Sequence, residues 1–171
     1  MTTAAARHLG QPARPAAQDR AAASPHPSVM REPLWKYVTG GDLITLITSP
    51  VIYLTIVPLA ALDAWVAFYQ AVCFRAWGIT RVQHRRYFTI DRRKLPYLNS
   101  IEKLNCVYCS YANGVIAFVR EVASRTEQYW CPIRNARHVV GAHPRHRAFV
   151  RYGDAARYRA ELPSLRARLK K

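Results

Sequence analysis

The run Leu43 to Leu62, LITLITSPVIYLTIVPLAAL, holds 20 residues and no charge. As a helix it is ~30 Å long, the thickness of a hydrocarbon core. A buried helix of a water-soluble domain rarely reaches that length without a polar face. The segment therefore predicts a membrane helix.

The apolar character continues past Leu62. Asp63 intervenes, and AWVAFYQAVCF carries the block to Phe74, with Pro50 and Pro58 inside it. Two arrangements fit. In one, Leu43 to about Leu62 crosses the bilayer, Asp63 marks the exit, and Trp65, Phe68 and Tyr69 lie in the interface. In the other, the chain bends near Pro58 and returns as a short helical hairpin. Asp63 reads as a span boundary in preference to a proton or ligand site, since no partner for it stands nearby in sequence.

Charge orients the segment. Lys and Arg number 26 against 10 Asp and Glu, a formal charge of +16. Arg75, Arg81, Arg85, Arg86, Arg92, Arg93 and Lys94 follow the block closely, so the C-terminal part is expected in the cytoplasm. Such an excess favours anionic lipid or nucleic acid. Its clustering beside the apolar block favours a lipid bilayer over any specific nucleic acid.

Five regions follow. Residues 1–30 read as a disordered Ala/Pro/Arg-rich tail without the apolar core of a signal peptide. Residues 31–78 hold the membrane-interface and transmembrane segment, with Trp35 and Tyr37 as interfacial rings. Residues 79–96 form a basic juxtamembrane collar, in which YFTID alternates like a short strand. Residues 97–150 make a helical cysteine-bearing unit. Residues 151–171 are a basic tail whose thin apolar side, Leu162, Leu165 and Leu169, suits either a lipid surface or a frayed end. The expected fold is mainly α: an N-terminal membrane helix or short helical hairpin, then a small cytoplasmic helical unit.

The clearest periodicity lies in the cysteine-bearing unit. Ile101, Leu104, Tyr108, Tyr111, Val115, Phe118 and Val122 recur at three and four residues, predicting an amphipathic helix of about 25 residues. Asn99 and Glu102 have capping-box spacing at its start. Gly114 inside it predicts a kink or a close approach by another backbone.

A second stripe of this helix is Glu102, Cys106, Cys109 and Asn113. The chain has four cysteines, too few for a disulfide scaffold. Cys106 and Cys109 share a helix face and can bind one metal ion or be oxidised together. Cys131 follows, before Pro132, with His138, His143 and His146 downstream. Three Cys and one His are a common zinc set, and iron accepts the same soft ligands. Cys106, Cys109, Cys131 and His138 would form it, in the pattern C-x2-C-x21-C-x6-H. A Cys131–His–Glu127 nucleophile is conceivable. Cys73 reads as packing. No phosphate-binding loop, dinucleotide glycine pattern or G-x-S-x-G is present.

In YLNSIEKLNCVYCSYANG and ASRTEQYWCPIRNARH the chain resembles a group of small bacterial membrane proteins, over about residues 42–146. The resemblance implies a bacterial inner (cytoplasmic) membrane protein with a cytoplasmic thiol-bearing region, and it implies a location without an activity.

Three functions are therefore expected: a membrane-anchored protein with a zinc or iron thiolate site, a membrane-tethered dithiol redox protein, or a non-catalytic accessory subunit of a membrane complex. A membrane-protein partner or a second copy fits each of them.

Overall fold

The computed structural model describes Lys36, Gly40 and residues 43–170. The tail over 1–30 and the rings of Trp35 and Tyr37 lie outside the described residues. Within them the protein is mainly helical, and one helix, Leu43–Trp77, is long and apolar enough to cross a membrane.

That helix contains α1 (Leu43–Leu54) and α2 (Ile56–Tyr69). It does not turn back at Pro58, which removes the hairpin arrangement. A helical proline forfeits a single backbone donor and bends the rod without reversing it. Hydroxyls in α1 and just after it turn inward: Thr48 Oγ1 donates to the Ile44 carbonyl at 2.8 Å, Ser49 Oγ to Thr45 at 2.6 Å, and Thr55 Oγ1 to Val51 at 3.1 Å. Polar groups satisfied on their own helix are compatible with an apolar surrounding.

The helix has two unlike sides. Tyr53, Ile56, Ala60, Asp63, Val66 and Gln70 face the rest of the protein. Ile47, Val51, Leu54, Val57, Leu62, Trp65, Phe68 and Val72 are exposed. These lie on the opposite side, so one bare apolar face runs for roughly 38 Å.

The end of the helix is pinned by a wide turn. A π segment, Gln70–Phe74, precedes a final α turn, and Gly78 (φ 67°) ends it in the left-handed conformation. Ile79 N–H then closes onto the Phe74 carbonyl at 2.8 Å. Buried Gln70 holds the returning chain like a strand partner: Val82 N–H donates to its Oε1 at 3.0 Å, and its Nε2 donates to the Val82 carbonyl at 3.4 Å.

The connector 79–99 runs back along the helix through 3-10 turns at His84–Tyr87 and Arg92–Lys94. The strand expected at YFTID does not form, and the described residues hold no strand beyond an isolated bridge between Ile133 and Val150. Tyr87 and Phe88 instead press onto α3. A Cβ on Gly114 would stand 2.8 Å from the Tyr87 carbonyl oxygen and 2.8 Å from a Phe88 ring carbon. The glycine is there for close approach.

α3 spans Ser100–Trp130, 31 residues. Both bonds of the capping box are present: Glu102 N–H to Asn99 Oδ1 at 2.9 Å, and Asn99 N–H to Glu102 Oε2 at 2.8 Å. α3 lies parallel to the first helix, because the connector carries the chain back before α3 begins. Tyr53 meets Asn105, Asp63 meets Tyr111, and Tyr69 meets Thr126 in the same order along both rods.

The core sits at the C-terminal ends of the two rods, where Phe74, Ile79, Val82, Phe118, Val122 and Leu169 are buried together. Trp77 stacks on Tyr129 with ring centroids 5.5 Å apart. α4 (Ala155–Ala167) is capped by Asp154, whose Oδ1 accepts from Arg157 N–H at 3.1 Å. It docks on α3: Gln128 Nε2 donates to the Leu165 carbonyl, and Arg166 Nε to the Tyr129 carbonyl, both at 2.8 Å. Leu165 and Leu169 are buried against the body, so the segment is neither a frayed end nor a helix with its apolar side free for lipid.

Candidate functional site: an acid, an imidazole and a phenol between the helices

Asp63 is the one charge inside the apolar run from Leu43 to Phe74. Its side chain is 14% exposed and turned toward the body. Oδ1 lies 2.8 Å from His84 Nε2, and Oδ2 accepts from the Tyr111 hydroxyl at 3.1 Å. Three elements thus meet at one carboxylate: α2, the connector turn and α3. The His84 ring stacks on Phe88 at 4.2 Å and meets Phe118 edge-on at 4.8 Å. Those rings hold the imidazole beside the acid. A carboxylate removed from water needs such partners on both oxygens.

No local spacing reveals this site, since His84 and Tyr111 stand 21 and 48 positions from Asp63. The available signal was indirect. A carboxylate in an apolar helix marks a function or a partner. Tyr111 on a core stripe must also place its hydroxyl somewhere.

The thiols are arranged differently from the expectation. Cys106 and Cys109 lie one turn apart on α3, on the side turned away from the first helix; Cys106 is half-buried and Cys109 exposed. Cys131 is the C-cap of the same helix, its N–H bonded to the Glu127 carbonyl at 2.8 Å. At 1.5 Å per residue it stands ~33 Å along the rod from Cys109. His138 is exposed in the loop beyond. The four residues Cys106, Cys109, Cys131 and His138 therefore do not converge within one chain, because the helix continues without a break from the first thiol to the third. Among the described residues no three His, Cys, Asp or Glu side chains gather as a metal site. Cys73 is half-buried within the π segment.

The second half of α3 carries an ion network. Glu121 Oε1 accepts from Arg125 Nε at 2.8 Å and from Arg145 Nη2 at 2.5 Å. Burial pushes the Glu121 carboxyl up, but bonds and charge from the two guanidinium groups outweigh it and hold the group below the usual carboxylate range. Arg145 also donates to Ser124 Oγ at 3.2 Å and Gln128 Oε1 at 3.3 Å. Next to it, His143 Nε2 pairs with Glu127 Oε2 at 2.7 Å. The histidine that Glu127 selects is thus His143, while Cys131 serves as the cap of the helix. These groups tie the loop 131–150 to α3.

Between the first halves of the two rods lies an open cleft of about 450 Å³, walled by Tyr53 and Ile56 on one side and Leu104, Tyr108 and Tyr111 on the other. Leu104, part of the apolar stripe, is 55% exposed there. The stripe is longer than the core that uses it.

Compared with known proteins, the chain matches no family model, no curated protein and no solved structure.

Proposed function

We propose that this protein is a membrane-docked accessory protein, with its long helix lying along one leaflet and its basic body on the cytoplasmic side. The bare face from Ile47 to Val72 carries this reading. That face has no charge, and it lies opposite the side that packs on α3.

Depth argues for a helix lying in the plane over a perpendicular crossing. The parallel rods bring the start of α3, with Glu102 and Lys103, to the level of Tyr53. Arg92 donates to Ser110, one residue before Tyr111, so Arg92 stands near the level of Asp63. A crossing by Leu43 to Leu62 would draw these charges toward hydrocarbon at ~2.5–3.5 kcal/mol each near the centre. A helix in the plane, immersed by ~5–10 Å, leaves them in water and keeps Arg85, Arg86, Arg93 and Lys94 beside anionic head groups.

The test uses the full chain with vesicles of phosphatidylcholine, with and without phosphatidylglycerol. The protein floats with both and binds the anionic vesicles more tightly. Lipids brominated near the head group quench Trp65 more than lipids brominated at the chain end, and Trp65→Phe removes that component. Labelling of a Leu43→Cys variant from the far side of a sealed vesicle would establish a crossing and overturn the in-plane reading.

A second reading concerns the thiols. The open face carrying Cys106 and Cys109 supplies two soft ligands, and a second copy would supply two more, completing a set of four thiolates across a dimer. Zinc or iron at one ion per two chains, lost in Cys109→Ser together with the dimer, supports it. A metal-free dithiol that diamide converts to a disulfide, two thiols giving up two electrons and two protons to the reagent, supports the redox alternative.

A further inference from the structure

We infer that the cleft between the long helix and α3 is a binding site for one chain of an uncharged, hydroxyl-bearing lipid of the monoacylglycerol class. This rests on the membrane-docked reading above.

The cleft is continuous with the lipid-facing surface. Tyr53 and Ile56 line it, while their neighbours Ile52, Leu54 and Val57 are exposed on the same helix. Lipid around the helix therefore reaches the cleft without crossing water. At about 450 Å³ it falls within the range of small-molecule sites. Its lining contains no charged side chain, which disfavours an ionised head group inside it. Leu104 and Ile90 are left partly bare there, although the packed half of α3 buries Val115, Phe118 and Val122 completely or nearly so. The apolar stripe continues into the cleft, where none of the described residues covers it.

Of the three phenols that line the cleft, Tyr53 and Tyr111 are the ones bonded to protein acceptors, and they favour one kind of head group. The Tyr53 hydroxyl donates to Asn105 Oδ1, and the Tyr111 hydroxyl donates to Asp63 Oδ2 at 3.1 Å. Each has spent its proton, and each oxygen retains lone pairs. A ligand that donates a hydrogen bond, such as an alcohol, suits them. A carboxylate at neutral pH, which only accepts, finds no proton on these two oxygens. The His84–Asp63 pair holds Tyr111 in its donating geometry and so acts on the site through it.

The experiment is native mass spectrometry of the full chain in a mild detergent, with monoolein and oleate as separate probes. One monoolein per chain is expected, bound at least about tenfold more tightly than oleate, the value of one good hydrogen bond. Leu104→Trp, a change on an exposed position that fills the cleft, abolishes binding, and Val140→Trp on a distant exposed loop leaves it unchanged. Equal retention of monoolein and oleate, a variable stoichiometry, or full binding by Leu104→Trp overturns the proposal. Flotation without monoolein binding sinks the cleft alone, and monoolein binding without flotation sinks the in-plane helix alone.

Discussion

His84 Nε2 and Asp63 Oδ1 lie 2.8 Å apart, and that pair couples the returning connector to the apolar helix. The carboxylate also accepts from Tyr111, so its loss would strip a bond from two neighbours together.

Asp63→Ala should therefore lower stability by ~1–3 kcal/mol, the cost of leaving partly buried donors unpaired. Asp63→Asn, which still accepts one bond, should cost less. Thermal melting in detergent checks the order. A melting temperature for Asp63→Ala equal to that of the wild type would show that the carboxylate contributes nothing to docking.

Gly114 allows the Tyr87–Phe88 backbone to lie against α3. Gly114→Ala improves helix propensity yet places a methyl where 2.8 Å separates it from a carbonyl oxygen. Overpacking of this kind costs ~1–3 kcal/mol and outweighs the propensity gain of about 1 kcal/mol. Denaturant melts should show net destabilisation; a stabilised variant would mean that the connector does not sit there.

Glu121 makes stability depend on pH in a known direction. Its folded carboxyl is held below the ordinary range by Arg125 and Arg145, so the folded state binds fewer protons than the unfolded chain around pH 4. The contribution is complete above the unfolded value and is lost as pH falls through the folded one. Glu121→Gln should lower stability at pH 7 and flatten the acid limb. An unchanged slope between neutral and acid pH would remove the network from the account.

Leu165 and Leu169 are core residues. Truncating either to Ala should cost ~2–5 kcal/mol. A C-terminal segment that only lay on lipid would show no such loss in detergent, and urea titration distinguishes the two.

Cys109 is exposed, and the fold does not rely on it. Cys109→Ser should change stability by no more than ~0.5 kcal/mol, and maleimide should label Cys109 in the native protein faster than Cys73. Protection of Cys109 in the purified protein, relieved by a chelator, would point to metal across a second copy.

Much of α3 was legible because its causes are local. Asn99 and Glu102 stand three residues apart and can meet only as a cap, and Val115, Phe118 and Val122 repeat with the period of the helix. The long apolar helix was legible for the same reason. The two prolines made its course ambiguous, since proline weakens a helix without dictating whether neighbours hold it straight. The distance from the thiol pair to Cys131 was not legible: spacing that placed Cys106 beside Cys109 said nothing of how far the helix would run before Cys131.

The amino-acid order by itself determined the greasy rod, its basic flank, the cap of α3 and the shared face of two thiols, because each depends on residues within a turn or two of one another. Tertiary structure alone decided that the rods run parallel, that Asp63 meets His84 and Tyr111, that one face of the helix stays bare and that a cleft remains open beside it. Those features depend on where a connector of some twenty residues returns the chain. That return begins at Gly78, which ends the helix locally, and is held by Gln70 and Gly114 acting on distant partners, whose effect becomes visible only once the chain has closed.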